Sequence, residues 1–298
     1  MAITKQYAFI QPLNPLWYQP YAERVDMLRL DLLHPIISGN KWFKLKHNLR
    51  FAIEKGYDDI LTFGGGYSNH LVTTAAAAKE FGLRSIGIVR GKYDKEELTT
   101  TLQTCLDLNM ELVFVTKEEY ARKTDPIWLD ELSKKYDHPY IIPEGGANQK
   151  GREGAEEIAE LIPQIYTHVC LSLGTGTTFV GVRNRLPDTQ MLLGFVPMKK
   201  GEYLADEIKP YIKENKSWQV FARWHLGGFG KWNDKLLGFM NNFHHFNNIP
   251  LDVVYTGKMM YGLEELLREH FFSRDAKILC IHTGGLQGNA SVQDMLEY

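Results

Sequence analysis

The sequence predicts an α/β protein built from open parallel sheets with helices on both faces. Short apolar runs rich in β-branched residues alternate with helical patterns along the 298-residue chain. Strands that are apolar at nearly every position are typical of parallel sheets, whose two faces are both covered. Several of these runs end in glycine-rich turns, and ligands of such folds bind at the carboxyl ends of the strands.

The predicted elements follow one another in a regular order. The first strand covers 60–63, ends in Gly64-Gly65-Gly66 and precedes an alanine-rich helix over 68–81. A second helix runs through 153–159. The other predicted strands cover 85–89, 111–115, 140–142, 169–173, 191–196, 251–255 and 277–282. The glycine-rich strand ends, which indicate one shared ligand cleft, lie at 64–66, 145–146, 174–176 and 284–285.

Composition and charge exclude several classes of function. Hydrophobic residues make up 44% of the chain and charged residues 23%, as in ordinary globular proteins. The formal net charge of −2 gives no electrostatic basis for binding nucleic acid or an anionic membrane. No apolar run is long enough to span a bilayer, and the first six residues lack the apolar core of a signal peptide. Cys105, Cys170 and Cys280 have no metal-ligand spacing, so we expect buried thiols in a cytoplasmic protein without a bound metal.

Lys41 is the first candidate for chemistry. It directly follows a Gly39-Asn40 turn, at the predicted first turn of a helix. The positive end of a helix dipole and neighbouring cations push a lysine amine toward its neutral form, which is the form that condenses with carbonyl groups. A solvated surface lysine is the alternative interpretation of this residue alone.

A second candidate is the segment Gly174-Thr175-Gly176-Thr177-Thr178, which follows a predicted buried strand and is expected to open a helix. Its small side chains leave backbone N–H groups accessible and its hydroxyls add donors, so a phosphate monoester would fit. A helix cap packed tightly against the sheet explains this segment equally well. The lysine of a P-loop is missing, and the segment does not fit the dinucleotide-binding pattern.

Other predicted strand ends also carry candidate side chains. Ser68 and Asn69 begin the alanine-rich helix, where they either cap it or contact a substrate carboxylate and a ligand oxygen. Thr283 follows the last strand and is placed to face a ring nitrogen of a ligand, whereas His282 is interpreted as structural. Tyr255 ends another predicted strand and either reaches the same cleft or belongs to the core.

Taken together, five segments resemble pyridoxal-phosphate enzymes of the tryptophan synthase β fold type. The strongest resemblance is to the family shared by 1-aminocyclopropane-1-carboxylate deaminase and D-cysteine desulfhydrase. The segments occur in the order of that family and extend over nearly the whole chain, at 39–41 with 44–45, 65–70, 143–146, 174–178, and 255–258 with 282–285. Each motif is common by itself, but the ordered set is specific.

The resemblance implies which residues bind the cofactor. Lys41 would hold pyridoxal 5′-phosphate covalently through its amine, and Asn69 would hydrogen-bond the phenolic oxygen. Thr283 would face the pyridine nitrogen, and because threonine shares a proton less strongly than a carboxylate does, β-elimination is favoured over transamination. The phosphate would be bound by Lys44, Gly174, Thr175, Gly176, Thr177 and Thr178.

The resemblance also implies a reaction on a small amino acid. Ser68 would bind the substrate carboxylate, Tyr255 would orient the substrate or assist the departing group, and Lys41 would remove the Cα proton. The deaminases have glutamate and leucine where this sequence has Thr256 and Thr283, which is the desulfhydrase pairing. We therefore expect β-elimination of the D-cysteine desulfhydrase type, giving a 2-oxo acid and ammonia, ahead of 1-aminocyclopropane-1-carboxylate deamination.

Some positions on the substrate side depart from the family. Its Gly-Tyr-Gly segment is Gly228-Phe229-Gly230 here, so one tyrosine hydroxyl is missing. Phe43, Tyr67 and Val72 stand where the family has arginine, glutamine and arginine. These changes leave a second hypothesis open, a pyridoxal-phosphate-binding protein with little or no turnover. A nucleotide-binding α/β protein is a third hypothesis, with only 174–176 in its favour.

The family also implies how the molecule is organised. A large cofactor-binding domain would comprise 1–45 and 150–298, and a small α/β domain would be inserted at 46–149. Family members are commonly dimers, so the resemblance implies a homodimer. The expected partners are a small amino-acid substrate and a second copy of the chain, with no nucleic acid and no membrane.

Overall fold

The computed structural model describes residues 8–18, 24–37, 39–91 and 98–298. The first six residues and Ser38, which enter the sequence argument, lie outside these ranges. The strands are β1 (Ile10–Pro12), β2 (Arg24–Arg29), β3 (Asp59–Gly65), β4 (Arg84–Arg90), β5 (Met110–Val115), β6 (Tyr140–Ile141), β7 (His168–Ser172), β8 (Met191–Phe195), β9 (Trp218–Phe221) and β10 (Lys277–His282). The α-helices are α1 (Pro15–Tyr18), α2 (Asn40–Glu54), α3 (Asn69–Glu80), α4 (Thr100–Asp107), α5 (Lys117–Ala121), α6 (Pro126–Lys135), α7 (Gln149–Ala159), α8 (Thr177–Arg185), α9 (Tyr203–Ile208), α10 (Asp234–Asn247) and α11 (Thr256–Arg268).

The strands form two open sheets. The six-stranded sheet has the order β1-β2-β10-β7-β8-β9, and the four-stranded sheet has the order β5-β4-β3-β6. Strand β1 pairs antiparallel with β2, whereas the other pairings are parallel. The carboxyl ends of the parallel strands therefore meet along one edge of each sheet, which is where ligands of such folds bind.

Helices cover both faces of the six-stranded sheet, as the sequence predicts. Alternate residues of β10 belong to different apolar clusters: Ile278 packs with residues of α10 and α11, whereas Leu279 packs with residues of α7 and α8. Successive side chains of a strand point to opposite faces, so the two clusters lie on opposite sides of the sheet. The predicted burial of Cys105, Cys170 and Cys280 is confirmed.

Most of the predicted strands are confirmed, but the strand predicted at 251–255 is wrong. These residues form an extended segment and a turn that leads into α11. Both oxygens of the Asp252 carboxylate accept hydrogen bonds from the turn, one from the backbone N–H groups of Val254 and Tyr255 at 2.9 and 2.7 Å. The other accepts from the N–H and hydroxyl of Thr256, at 2.9 and 2.6 Å. A carboxylate thus takes the N–H groups that a strand would donate to its neighbour.

The helices beside the site approach one another closely. A Cβ atom at Gly154 of α7 would lie 1.8 Å from the carbonyl oxygen of Phe43 in α2, so only glycine fits there. Helix α7 also packs on α8, whose Gly181 would place a Cβ atom 2.4 Å from the carbonyl oxygen of Arg152. This packing brings the start of α2 next to the start of α8. Helix α7 begins before the predicted 153, because the Asn148 side chain caps it.

The four-stranded sheet takes its strands from residues between 59 and 141, and the six-stranded sheet takes its strands from the rest of the chain. The domain boundaries at 45/46 and 149/150 remain a prediction. Helix α2 continues through the first boundary, and α7 begins at the second. Within the described ranges, no helix has the length and apolar character needed to cross a membrane.

Candidate active site

Lys41 lies where α2 begins, and its neighbours fix α2 to the end of β10. A Cβ atom at Gly39, which has a φ of 67°, would lie 1.8 Å from the carbonyl oxygen of Thr283. The Asn40 N–H donates to the same carbonyl at 3.2 Å, and the Asn40 side-chain amide donates to the Thr178 hydroxyl at 2.8 Å. The Lys41 Nζ atom donates to Asn40 Oδ1 at 2.7 Å. The amine is therefore held between β10 and the first turn of α8.

The environment of Lys41 favours its neutral amine. Burial lowers the pKa of Lys41 from 10.5 to about 8, against the attraction of the Asp252 carboxylate. A lowered pKa of Lys41 is also what the sequence predicts, on account of the helix dipole and neighbouring cations. In the structure, the main cause is burial. The Tyr255 ring lies on another side of the amine, with its centroid 6.0 Å from Nζ.

Lys44 follows one turn later on α2 and is buried against the 143–146 turn. A Cβ atom at Gly145, which has a φ of 65°, would lie 3.6 Å from Lys44 Nζ and 3.3 Å from the Thr175 hydroxyl. Burial and the charge of Lys41 hold the pKa of Lys44 well below its usual range, against the Glu144 carboxylate. Within the described ranges, the Lys44 amine makes no hydrogen bond or ion pair. A buried amine without an acceptor thus adjoins the loop before α8.

The loop at 174–178 opens α8, as predicted. Gly176 adopts a left-handed conformation, and a Cβ atom there would lie 2.3 Å from Ile208 Cγ2. No side chain caps α8, and the hydroxyls of Thr175 and Thr177 lie 3.0 Å apart at its first turn. Uncapped N–H groups and hydroxyl donors at a helix N-terminus favour binding of an anion.

The start of α3 supplies two more of the predicted residues. Ser68 caps the helix, accepting from the Leu71 N–H at 3.3 Å, which is the structural role weighed in the sequence analysis. The Asn69 Nδ2 atom donates to the Gly285 carbonyl at 3.1 Å, which fixes the orientation of the amide because a carbonyl can only accept. Asn69 Oδ1 is buried and has no hydrogen-bond partner in the described part of the chain.

His70, next along α3, is a site residue whose side chain the sequence reasoning passed over. The Thr62 hydroxyl donates to the Ile142 carbonyl at 2.8 Å, so it accepts from His70 Nε2 at 2.9 Å. His70 thus carries a proton on Nε2, and its buried Nδ1 atom has no partner among the described residues. Burial and the charges of Lys44 and Lys41 hold the pKa of His70 well below its usual range, which keeps the ring neutral.

The last residue of β10 is a structural histidine, and the residue after it is a threonine at the site. His282 Nε2 donates to the Pro250 carbonyl at 2.7 Å, and its Nδ1 accepts from the Gly284 N–H at 3.2 Å. The structural interpretation of His282 is thereby supported. Thr283 is buried, and its hydroxyl makes no hydrogen bond within the described ranges.

Tyr255 reaches the cleft from the turn before α11. A Cβ atom at Gly174 would lie 3.4 Å from the Tyr255 hydroxyl, and the Phe229 ring packs edge-on with its centroid 5.8 Å from that of Tyr255. Burial raises the pKa of Tyr255, as do the carboxylates of Asp252 and Glu144, so the phenol stays protonated. The sequence reasoning missed Asp252, although an aspartate shortly before a helix is a known capping signal.

The four positions that depart from the family are of two kinds. Phe43 and Val72 are buried and pack in apolar clusters beneath the helices. Tyr67 and Phe229 are about half exposed. Tyr67 and Phe229 therefore have ring surface that is accessible to a ligand.

The comparisons with known proteins agree with this geometry. No family model matches the chain. A Pyrococcus horikoshii protein named "Putative 1-aminocyclopropane-1-carboxylate deaminase" is 32% identical over 306 residues, covering 95% of this chain and 92% of that protein. This chain belongs to the 1-aminocyclopropane-1-carboxylate deaminase family. The family is pyridoxal-phosphate dependent, and the chain is an enzyme of its lyase and deaminase type.

Solved structures give the same fold. The crystal structure of an ACC (1-aminocyclopropane-1-carboxylate) deaminase homologue has a TM-score of 0.84 and 28% identity, covering 99% of this chain and 94% of its own. An O-ureido-L-serine synthase has a TM-score of 0.71 at 14% identity, covering 96% of this chain and 91% of its own. A hydrogen sulfide-producing enzyme from Fusobacterium nucleatum has a TM-score of 0.68 at 13% identity, covering 94% and 96%. At such identities the last two show the fold alone.

Proposed function

We propose that this chain binds pyridoxal 5′-phosphate at Lys41 and catalyses β-elimination on a small amino acid of the D-cysteine type. Polar groups without partners around Lys41 carry this proposal. Within the described ranges, these are the Asn69 Oδ1 and His70 Nδ1 atoms, which are themselves buried, and the Lys44 amine and Thr283 hydroxyl, which belong to buried residues. Buried polar groups in proteins are nearly always paired, so a polar ligand with complementary groups accounts for them.

The chemistry of these groups fits the cofactor. The Lys44 amine and the uncapped start of α8 suit a phosphate dianion. The second hydrogen of Asn69 Nδ2, beyond the one donated to Gly285, suits the phenolic oxygen, and the Thr283 hydroxyl suits the pyridine nitrogen. With a pKa near 8, Lys41 has enough neutral amine near pH 7 to react with an aldehyde. When bound, pyridoxal phosphate supplies an electron sink for negative charge at the substrate Cα atom.

The remaining steps belong to the protein. Ser68, at the N-terminus of α3, binds the substrate carboxylate, aided by the helix dipole. With its amine free, Lys41 would take the Cα proton of the substrate as general base. The Tyr255 phenol, protonated at neutral pH, donates a hydrogen bond to the departing group at Cβ.

Deamination of 1-aminocyclopropane-1-carboxylate is the second candidate, because the 32%-identical relative carries that name. We favour β-elimination because Thr283 offers the ring nitrogen a neutral hydroxyl, and the Thr256 hydroxyl donates to Asp252 at 2.6 Å. Neither position supplies the carboxylate that would keep the ring nitrogen protonated. An unprotonated ring withdraws electrons less strongly, which suits departure of a good leaving group such as thiolate.

A substrate panel tests this choice. The enzyme is incubated with D- and L-cysteine, other small amino acids and 1-aminocyclopropane-1-carboxylate, and 2-oxo acid, ammonia and sulfide are measured. We expect D-cysteine to give equal amounts of the three products, faster than the cyclopropane substrate gives 2-oxo acid. Faster cyclopropane turnover would assign the deaminase activity instead. A cofactor-loaded protein that turns over nothing would favour a binding protein without catalysis.

The pKa of Lys41 predicts how cofactor incorporation depends on pH. An ordinary lysine has a pKa of 10.5, whereas that of Lys41 is lowered to about 8. Since the neutral amine reacts, the incorporation rate should rise about tenfold per pH unit below pH 7 and level off above about pH 8. Stopped-flow absorbance of the apoenzyme mixed with pyridoxal phosphate measures this rate, with a free lysine derivative as control. A rate that rises to pH 10, as for the free lysine, would contradict the lowered pKa.

Two further features are proposed on the family resemblance alone. The first is the division into a large domain of 1–45 and 150–298 and a small domain of 46–149. The second is a cytoplasmic homodimer, in keeping with the common state of the family.

A further inference from the structure

The loop before α10 is held in an unusual conformation beside Tyr255. Leu226, Gly227, Gly228 and Gly230 all have positive φ angles, of 44°, 105°, 113° and 65°. A leucine at positive φ costs free energy, so the surrounding structure must hold it there. Such strain is common where a loop places a side chain for function.

Lys258 supplies the contacts that hold this loop. It lies in the first turn of α11, is 98% buried, and donates from Nζ to the Gly228 carbonyl at 2.6 Å and the Pro197 carbonyl at 3.3 Å. A buried amine is costly unless it is hydrogen-bonded, and these two carbonyls come from different segments of the chain. Lys258 therefore ties the loop and the end of β8 to α11.

The next residue along the loop, Phe229, lies against Tyr255. Its ring is 51% exposed, and it packs against Tyr255 at an interplanar angle of 74°. The ring has an apolar edge and no hydroxyl, where the family has tyrosine. A second exposed ring, Tyr67, directly precedes Ser68. Aromatic surface thus adjoins the residues proposed to bind the substrate carboxylate and the departing group.

We propose that Phe229, positioned by Lys258, determines specificity and selects amino acids whose β-substituent is apolar, such as S-alkyl cysteines. This inference rests on the proposed function. In the reaction, the Cα–H and Cβ–S bonds break, and the sulfur leaves with its bonding electrons and is protonated to an alkyl thiol. Hydrolysis of the remaining enamine consumes one water and gives a 2-oxo acid and ammonia.

The test compares cysteine with S-methylcysteine, each as the enantiomer that the wild-type holoenzyme prefers. The quantity measured is the ratio of kcat/KM for S-methylcysteine to that for cysteine. A single methyl group in an apolar pocket is worth about tenfold, so this ratio should fall about tenfold in Phe229→Ala, mainly through KM. Phe81→Ala, which removes another half-exposed ring at the far end of α3, should leave the ratio unchanged.

Lys258→Met tests the positioning role, with Lys258→Arg as the conservative variant. The methionine variant should lower the ratio of the two kcat/KM values as Phe229→Ala does, while it keeps the cofactor absorbance. Lys258→Arg should restore part of that ratio. If Lys258→Met does not fold, Phe229→Ala still tests the proposed specificity, because the Phe229 side chain is half exposed and its removal should leave the fold intact. Dissociation constants of the two amino acids, measured by calorimetry on the borohydride-reduced holoenzyme, which cannot turn over, should shift in the same direction.

The outcomes separate this inference from the proposed function. A wild-type protein without a cofactor band would overturn the proposed function. A wild-type protein with the band, whose preference is the same in Phe229→Ala, would overturn the specificity role of Phe229 alone.

Discussion

Replacing Lys41 with alanine is expected to abolish the visible absorbance of bound pyridoxal phosphate and to lower the rate of 2-oxo acid formation by at least about 10³-fold. The variant loses both the covalent anchor and the general base. Lys44 is not expected to substitute, because its amine faces the 145 turn and Thr175. Absorption spectra of the purified proteins after addition of cofactor measure the first effect, and 2-oxo acid formation measures the second.

Lys46→Ala is the matched control for this variant. Lys46 lies on the same helix but forms an ion pair with Glu157, on α7. It should keep the absorbance band and its activity within about twofold, as for most partly exposed positions. An unchanged band in Lys41→Ala would mean that the anchor lies elsewhere.

Replacing Asp252 with alanine is expected to lower the free energy of unfolding by more than the loss of a surface helix cap does. The buried carboxylate accepts from the N–H groups of Val254, Tyr255 and Thr256 and from the Thr256 hydroxyl. Removing one partner of a buried, charged hydrogen-bond network costs roughly 3–5 kcal/mol of unfolding free energy. Denaturant unfolding of the variant and the wild-type protein measures the difference. Because the same turn carries Tyr255, activity should fall as well.

Two further variants serve as comparisons for the unfolding free energy of Asp252→Ala. Asp252→Asn keeps one acceptor oxygen and should fall between alanine and the wild type. Asp125→Ala removes an aspartate that caps α6 on the surface, accepting from the Ile127 N–H, and should cost about 1 kcal/mol. An Asp252→Ala loss no larger than that of Asp125→Ala would show that the turn does not depend on the carboxylate.

The strands that the sequence predicts are those with a purely local signal. Strands such as β10 are apolar at almost every position, so burial on both faces follows from the pattern itself. The sequence does not predict strand β2, because Asp26 interrupts its apolar run between Val25 and Met27. The buried Asp26 carboxylate accepts from the Tyr166 hydroxyl at 2.7 Å. This partner lies 140 residues away in the sequence, so a local pattern does not indicate it.

In the candidate site, too, some features can be predicted from the local sequence and others depend on the assembled fold. The glycine turns and Lys41 are local features, and their order along the chain identifies the family. The low pKa of Lys41 could be expected in direction, but its main cause, burial, is a property of the assembled fold. The same holds for the turn at 251–255, since its conformation is set by a side chain within the turn, Asp252, that an apolar-run argument treats as an interruption.

The claim that Lys41 anchors pyridoxal phosphate is tested most directly by borohydride reduction of the cofactor-loaded protein, followed by peptide mapping. Reduction makes the bond between the cofactor and its lysine permanent, so the modified residue can be located by mass spectrometry. We expect one phosphopyridoxyl group per chain, on the peptide that contains Lys41. A group on Lys44 or Lys258, or no incorporation, would contradict it.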